Sequence, residues 1–196
     1  ESEPANVIRS IREHAFSFFS TPFEPEALAE MITRAIHHPS WVDGIEVLSA
    51  SPQWVHLRIR ARMIAAERAV QFFREMETVL PAEELEEIAV AFREMLLNAM
   101  EHGAGFDPNQ TIDVSYVRTS RTIIYTISDP GGGFSFDSIP HAAVRNPPDS
   151  PAQHMLYRME HGIRAGGFGL LVAKDLVDEV VYNEKGNQVL LIKHLR

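Results

Sequence analysis

The 196-residue sequence has no cysteine, which excludes disulfide bridges and thiolate chemistry, whether catalytic or metal-binding. That absence fits a reducing compartment, and the cytoplasm is the expected location. No apolar run is long enough to cross a bilayer and no signal-peptide pattern is present, so no membrane role is expected. Basic charge is also scarce, with 18 Lys and Arg against 27 Asp and Glu and a formal net charge of -9. Direct binding of nucleic acid is therefore not expected, because neutralising phosphates requires a basic surface. Lysine occurs only at Lys174, Lys185 and Lys193, so a side-chain clamp on a phosphate falls to arginine. What the chain does have is 45% hydrophobic residues, enough for one good core and a small appendage.

One stretch organises the rest. A long helix is predicted from near Pro81, which is tolerated in a first turn and is followed by Glu83, Glu84, Glu86 and Glu87 at the positive end of the peptide dipoles. Leu85, Ile88, Phe92, Leu96 and Ala99 form one apolar stripe, and Gly103 supplies a stop. Glu94, Asn98 and His102 follow at intervals of four and stack a carboxylate, an amide and an imidazole along a second edge. Such a row can also be a plain solvated face.

Two glycine-rich elements follow. Asp129-Pro130-Gly131-Gly132-Gly133 closes a predicted strand, and Gly166-Gly167-Phe168-Gly169-Leu170 opens a helix. Asp129 can accept a hydrogen bond from an exocyclic amine such as that of adenine, or it can simply cap a Pro-Gly turn. Gly131 and Gly133 allow positive φ and close approach of a base or ribose to the backbone, or a hinge. Gly167 and Gly169 precede a helix start, where unpaired amides favour phosphates, although a lone G-x-G is common for steric reasons alone. Arg164, just upstream, is within sequence reach of a terminal phosphate. Asn98 offers an oxygen to a hard cation.

Taken in order, the E-x-x-x-N-A helix, the D-x-G-x-G turn and the G-x-G-L helix start resemble the nucleotide-binding boxes of the superfamily of DNA gyrase, Hsp90, histidine kinases and MutL. Within it, N-A-M-E-H-G and the ending G-F-G-L-L-V-A-K-D-L-V-D-E-V are most similar to bacterial anti-sigma-factor serine kinases. The resemblance spans about Gly44 to Arg196. It implies a Bergerat (GHKL) fold: a two-layer α/β sandwich of a mixed, largely antiparallel sheet with helices on one face. It also implies ATP and Mg²⁺ as cofactors. The metal would be held by Asn98. Asp129, Gly131 and Gly133 would lie on the base side, and Arg164, Gly167, Phe168, Gly169 and Leu170 on the phosphate side. Glu94 would serve as the base for phosphoryl transfer, and His102 would line the ribose or phosphate side unless it is a structural helix-end residue. By the same resemblance the partners are an anti-anti-sigma protein of STAS type and a sigma factor, and the chain is a homodimer. Two other functions stay open: a nucleotide-gated binding module without catalysis, and a histidine-kinase-like ATPase domain.

The first 40 residues read as a separate remnant before a domain at 41–196. Val7 to Glu13 is a predicted helix, Ala15 to Phe19 a short strand, and Glu26 to His37 an amphipathic helix with Leu28, Met31, Ile32 and Ala35 on one side. The run from His14 to Leu28 resembles the last strand and helix of a phosphoacceptor receiver domain, with Thr21 where that family has lysine. An upstream receiver is the corresponding expectation, and a plain helical extension is the alternative. Apolar residues of such a remnant should pack on the main domain or on a second copy. His37-His38-Pro39-Ser40 is the linker, with no third ligand spaced to make the histidines a metal site.

Strands are expected at Gly44 to Ala50 and Gln53 to Ile59, and a helix from Met63 to Val79 with Ala66, Val70, Phe73 and Glu77 along its stripe. Further strands are expected at Thr111 to Arg118 and Thr122 to Ser128. From about 134 to 166 prolines interrupt any pattern except Gln153 to His161, and by resemblance this segment is the lid over the nucleotide. A helix from Leu170 to Leu176 and a hairpin, Glu179 to Asn183 with Gln188 to Lys193, complete the chain.

Overall fold

The computed structural model describes residues 3–19, 21–37, 44–77, 79–134 and 168–195. The elements in chain order are α1 (Pro4–Arg12), α2 (Pro25–His37), β1 (Ile45–Ser51), β2 (Trp54–Arg60), α3 (Met63–Met76), α4 (Ala82–Asn98), β3 (Thr111–Arg118), β4 (Thr122–Ser128), α5 (Gly169–Leu176), β5 (Glu179–Tyr182) and β6 (Gln188–His194). A π-helical turn, Ala99–Gly103, continues α4 without a break.

Six strands form one sheet in the order β1-β2-β3-β4-β6-β5, and each neighbouring pair is antiparallel. The expected α/β sandwich is present, and its described sheet contains no parallel pairing. Alternation along β3 and β4 sends Ile112, Val114, Tyr116, Ile123, Tyr125 and Ile127 into the core. Helices α3 and α4 cover that face, each burying one stripe: Ala65, Ala69, Phe72, Phe73 and Met76 from α3, and Ile88, Phe92, Met95 and Leu96 from α4. At the centre Phe73 meets Phe92, Tyr116 and Tyr125 at ring-centroid distances of 5.1, 5.6 and 5.2 Å.

Glu77 lies one residue past α3 with its side chain fully buried, where it accepts hydrogen bonds from the Tyr116 hydroxyl and the Arg118 guanidinium. Burial raises its carboxyl above the ordinary range, although Tyr116 and Arg118 pull it back. Burial also raises the Tyr116 hydroxyl, with the Glu77 charge adding to it. Glu77 thus belongs to the interior, as its place on the stripe suggested, but it acts there as an acceptor for two partners rather than as an apolar filler.

The N-terminal segment departs from expectation in one element. Ala15 to Phe19 pairs with no strand. Its carbonyls are instead taken by Arg68, whose Nη2 donates to Ala15 O (2.9 Å) and whose Nε donates to Phe16 O (3.0 Å). The guanidinium also lies 5.8 Å from the centre of the Phe16 ring, and burial lowers it to about 10. A side-chain clamp therefore replaces the ladder that the apolar alternation suggested. Helix α1 buries Val7, Ile8 and Ile11 in the main core, packing on β1 and α3. Helix α2 differs: it buries no residue, Ile32 and Ile36 are 52% and 71% exposed, and Arg34 joins it to Glu67 of α3 at 3.1 Å. The linker from residue 38 to 43 lies outside the described residues.

Candidate nucleotide site

Helix α4 and its π turn carry the row predicted from sequence, and α5 starts against it. A Cβ built on Gly169 would lie 2.9 Å from Glu94 Oε2 and 3.2 Å from Asn98 Nδ2. The first turn of α5 therefore opens directly beside both side chains, in a space that a larger residue would share only by pushing the ends of Glu94 and Asn98 aside. The Val172 amide donates the first α5 bond, to Phe168 O (2.8 Å), so the amides of Gly169, Leu170 and Leu171 precede the first intrahelical donor. These groups and the helix dipole favour an anion at this point. Phe168 is exposed at the start of the helix, whereas the Leu170 side chain is buried in the core and leaves its amide as its polar contribution.

Asp129 follows β4. Its Oδ1 accepts the Gly131 amide at 2.9 Å, closing an Asx turn, and Oδ2 has no hydrogen-bond donor among the described residues. Burial raises the Asp129 carboxyl above its usual range, while the Gly131 amide, Lys185 and His102 each pull it back. A Cβ on Gly131 would lie 2.8 Å from Asp129 Oδ1 and 2.9 Å from Gly103 Cα. Gly131 is thus needed for close packing rather than for positive φ; of the two glycines predicted to supply that, only Gly133 does, at φ 78°.

Gly103 was read as a stop signal, and the structure gives it a different task. It has no positive φ, and a Cβ there would overlap the Cβ, Cγ and Oδ1 of Asp129. The π turn brings the backbone of Gly103 against the carboxylate, which a side chain would displace. This member of the site was missed because a glycine after a helical stripe has a sufficient local explanation. His102 is exposed within the same turn and acts on Asp129 through its charge.

Arg164, Gly167 and all but the first residue of the predicted lid lie outside the described residues. The first residue, Phe134, packs edge-on against Tyr182 at 5.1 Å. Beneath it the Tyr182 hydroxyl donates to Met95 Sδ (3.5 Å) and is pushed up to about 12 by burial, with Asp129 adding to the shift.

The site thus combines a carboxylate with one oxygen that meets no donor among the described residues, glycines packed closely against it, and a helix start beside Glu94 and Asn98. Residues 59–193 match the family described as the histidine kinase-like ATPase domain. The chain belongs to that family. Over 148 residues it is 25% identical to an anti-sigma F factor of Geobacillus kaustophilus, covering 72% of this chain and 92% of the relative. It is 29% identical over 116 residues to the anti-sigma F factor of Anoxybacillus flavithermus, covering 58% and 71%. Identity to the serine-protein kinase RsbW of Oceanobacillus iheyensis is 25% over 114 residues, covering 58% and 67%.

Kinases of the histidine kinase-like ATPase domain family generally bind ATP and Mg²⁺. Among the described residues no cluster of three or more His, Asp and Glu forms a metal cage. Mg²⁺ characteristically takes one or two protein oxygens and completes its shell with phosphate and water, a demand that Asn98 can meet. No described helix is long and apolar enough to cross a membrane.

Proposed function

We propose that this chain is an ATP- and Mg²⁺-dependent protein serine/threonine kinase of the anti-sigma-factor type. Its substrate is an anti-anti-sigma partner of STAS type, and phosphorylation of that partner controls sequestration of a sigma factor. The observation that carries the reading is the seating of Glu94 and Asn98, one helical turn apart, against the glycine start of α5. The similarity to anti-sigma F factors and to a serine-protein kinase supports the reaction class.

The division of labour follows from the chemistry of each group. Asp129 Oδ2 accepts a hydrogen bond from an exocyclic amine such as that of adenine. Gly103 and Gly131 keep that carboxylate in place by leaving no Cβ in its way. The amides at the start of α5 hold phosphate oxygens, and the Asn98 oxygen faces the cation. When bound, ATP with Mg²⁺ supplies the phosphoryl group and neutralises its charge. Glu94 receives the proton of the incoming serine or threonine hydroxyl. Arg164 and Gly167 join the phosphate side, and His102 the ribose side. A homodimer and an upstream receiver complete the proposed assembly, with residues 1–40 linking input to the nucleotide domain.

The test is incubation with γ-labelled ATP, Mg²⁺ and candidate partners. Label should appear on a partner Ser or Thr, and Glu94→Ala should abolish transfer while sparing ATP binding; no transfer to any Ser or Thr refutes the kinase. A second reading, a nucleotide-gated binding module, is favoured by one contact: Arg93 Nη1 lies 3.3 Å from Glu94 Oε1, so one oxygen of the carboxylate is already engaged within the chain. Under that reading, control of the partner survives Glu94→Ala.

A further inference from the structure

The tip of the β5–β6 hairpin plays no part in the account above, yet its hydrogen bonds run directly to the carboxylate that reads the base. Pairing of β4 with β6 ends at Ser128 opposite Gln188, so Asp129 lies beyond the regular ladder. Its backbone is held by Asn187 on both sides. The Asp129 amide donates to Asn187 O (3.0 Å), and Asn187 Nδ2 donates to Asp129 O (3.2 Å). Asn187 is itself oriented, because its Oδ1 accepts from Asn183 Nδ2 at 3.0 Å. Asn183 is fixed in turn by the turn it caps: its Oδ1 accepts the amides of Gly186 (2.8 Å), Asn187 (3.1 Å) and Gln188 (3.2 Å).

The two turns also interlock beyond this relay. Lys185 Nζ donates to Gly131 O at 3.1 Å. Gly133 and Gly186 both have positive φ, and a Cβ on either would overlap the carbonyl of the opposite turn, at Lys185 and Phe134 respectively. With Oδ1 of Asp129 committed to the Gly131 amide, the direction of Oδ2 is set by the backbone that Asn187 holds.

We infer that Asn187, oriented by Asn183, is a positioning residue for Asp129, and that the hairpin tip sets how sharply the site reads the exocyclic amine of the base. The inference rests on the nucleotide reading of the site and assigns its selectivity to residues outside the three boxes. A hairpin serving stability alone would affect all ligands alike. A hairpin that aims Oδ2 affects only ligands carrying the amine.

Inosine triphosphate keeps the sugar and triphosphate of ATP but carries a carbonyl in place of that amine and an N–H at N1, so the ratio of the two dissociation constants reports how the site reads that edge of the base. In Asn187→Ala, ATP should weaken about fivefold, the change expected from one hydrogen bond of ordinary strength, while inosine triphosphate stays unchanged and the ratio contracts by the same factor. Asn183→Asp keeps the acceptor for all three turn amides and loses only the donation to Asn187. It should shift the ratio in the same direction in a turn that remains closed, which guards against a misfolded alanine variant. Glu184→Gln, exposed on the same turn, should leave the ratio as it is in the unsubstituted protein. Equal weakening of both nucleotides, or an unchanged ratio in both asparagine variants, overturns the inference. Amide hydrogen exchange at Gly131 in the nucleotide-free protein separates this from failure of the nucleotide reading. If the unsubstituted chain binds neither nucleotide, that reading falls, and faster Gly131 exchange in Asn187→Ala upholds the coupling, whereas unchanged exchange overturns it.

Discussion

Replacing Gly103 by alanine gives opposite signs under the two meanings that residue can have. As a simple helix end without positive φ, Gly103→Ala should stabilise the fold by about 0.4–1 kcal/mol, because alanine has fewer unfolded conformations to lose. The structure predicts the reverse. The added Cβ falls on the Cβ, Cγ and Oδ1 of Asp129, well inside the 3.4–4 Å of ordinary contact. Swinging the carboxylate aside does not relieve the overlap, since the Cβ of Asp129 is among the atoms struck. Its backbone, tied at both N–H and C=O to Asn187, has to retreat by about 1 Å. Overpacking of this kind costs about 1–3 kcal/mol, which for a chain of this size lowers the Tm by roughly 2–12 °C. A functional group misplaced by about 1 Å can lose about 100-fold in effect. Thermal unfolding and calorimetric titration with ATP and Mg²⁺ should therefore show a lower Tm together with ATP affinity reduced at least about tenfold. A variant that melts higher than its parent and binds ATP equally well refutes the role of Asp129 as the base-reading group held by glycine contacts.

Two further predictions concern ionisable groups. Burial raises the Asp129 carboxyl in the fold, so the native state holds that proton more tightly than the unfolded chain does; stability from this group is greatest at acid pH and fades as pH rises through the raised native value. ATP affinity should run the other way, falling as pH drops through that value, because the ionised carboxylate is the stronger acceptor. Asp129→Asn should abolish this pH dependence, raise the Tm at neutral pH and weaken ATP, as read by calorimetry and melting across the acid to neutral range. Glu77→Ala strands the Tyr116 hydroxyl and the Arg118 guanidinium. It should cost about 3 kcal/mol in denaturant unfolding, and a loss below about 1 kcal/mol would show that water or neighbouring groups satisfy them.

Much of the architecture was legible because its periodicities are long. Strands β3 and β4 fall where alternation put them, and α4 begins just after Pro81, its N-cap, with acidic residues in its first turn. The row Glu94, Asn98 and the turn at Asp129 could be singled out because the three boxes occur together in order. What local pattern could not show was contact between distant backbones. Gly103 meeting Asp129, and Asn187 gripping the same residue from another hairpin, depend on how separate loops converge. Ala15 to Phe19 failed for a related reason: an apolar stretch reads as a strand, but its carbonyls found a partner in Arg68, more than 50 positions away. The end of α3 was overrun because Glu77 continues the helical stripe, while its burial is satisfied by β3.

The docking of α1 bears on how the gene can be shortened. The match to the family begins at residue 59, but Val7, Ile8 and Ile11 are seated in the same interior as the sheet. Three fully buried aliphatic side chains contribute about 1.5–3 kcal/mol each, which together rivals the whole margin by which a domain of this size stays folded. Expression starting at that boundary would also remove β1 and all but the last two residues of β2, leaving β3 as a raw, sticky margin of the sheet. The leading helix has to travel with the domain for it to be obtained in native form.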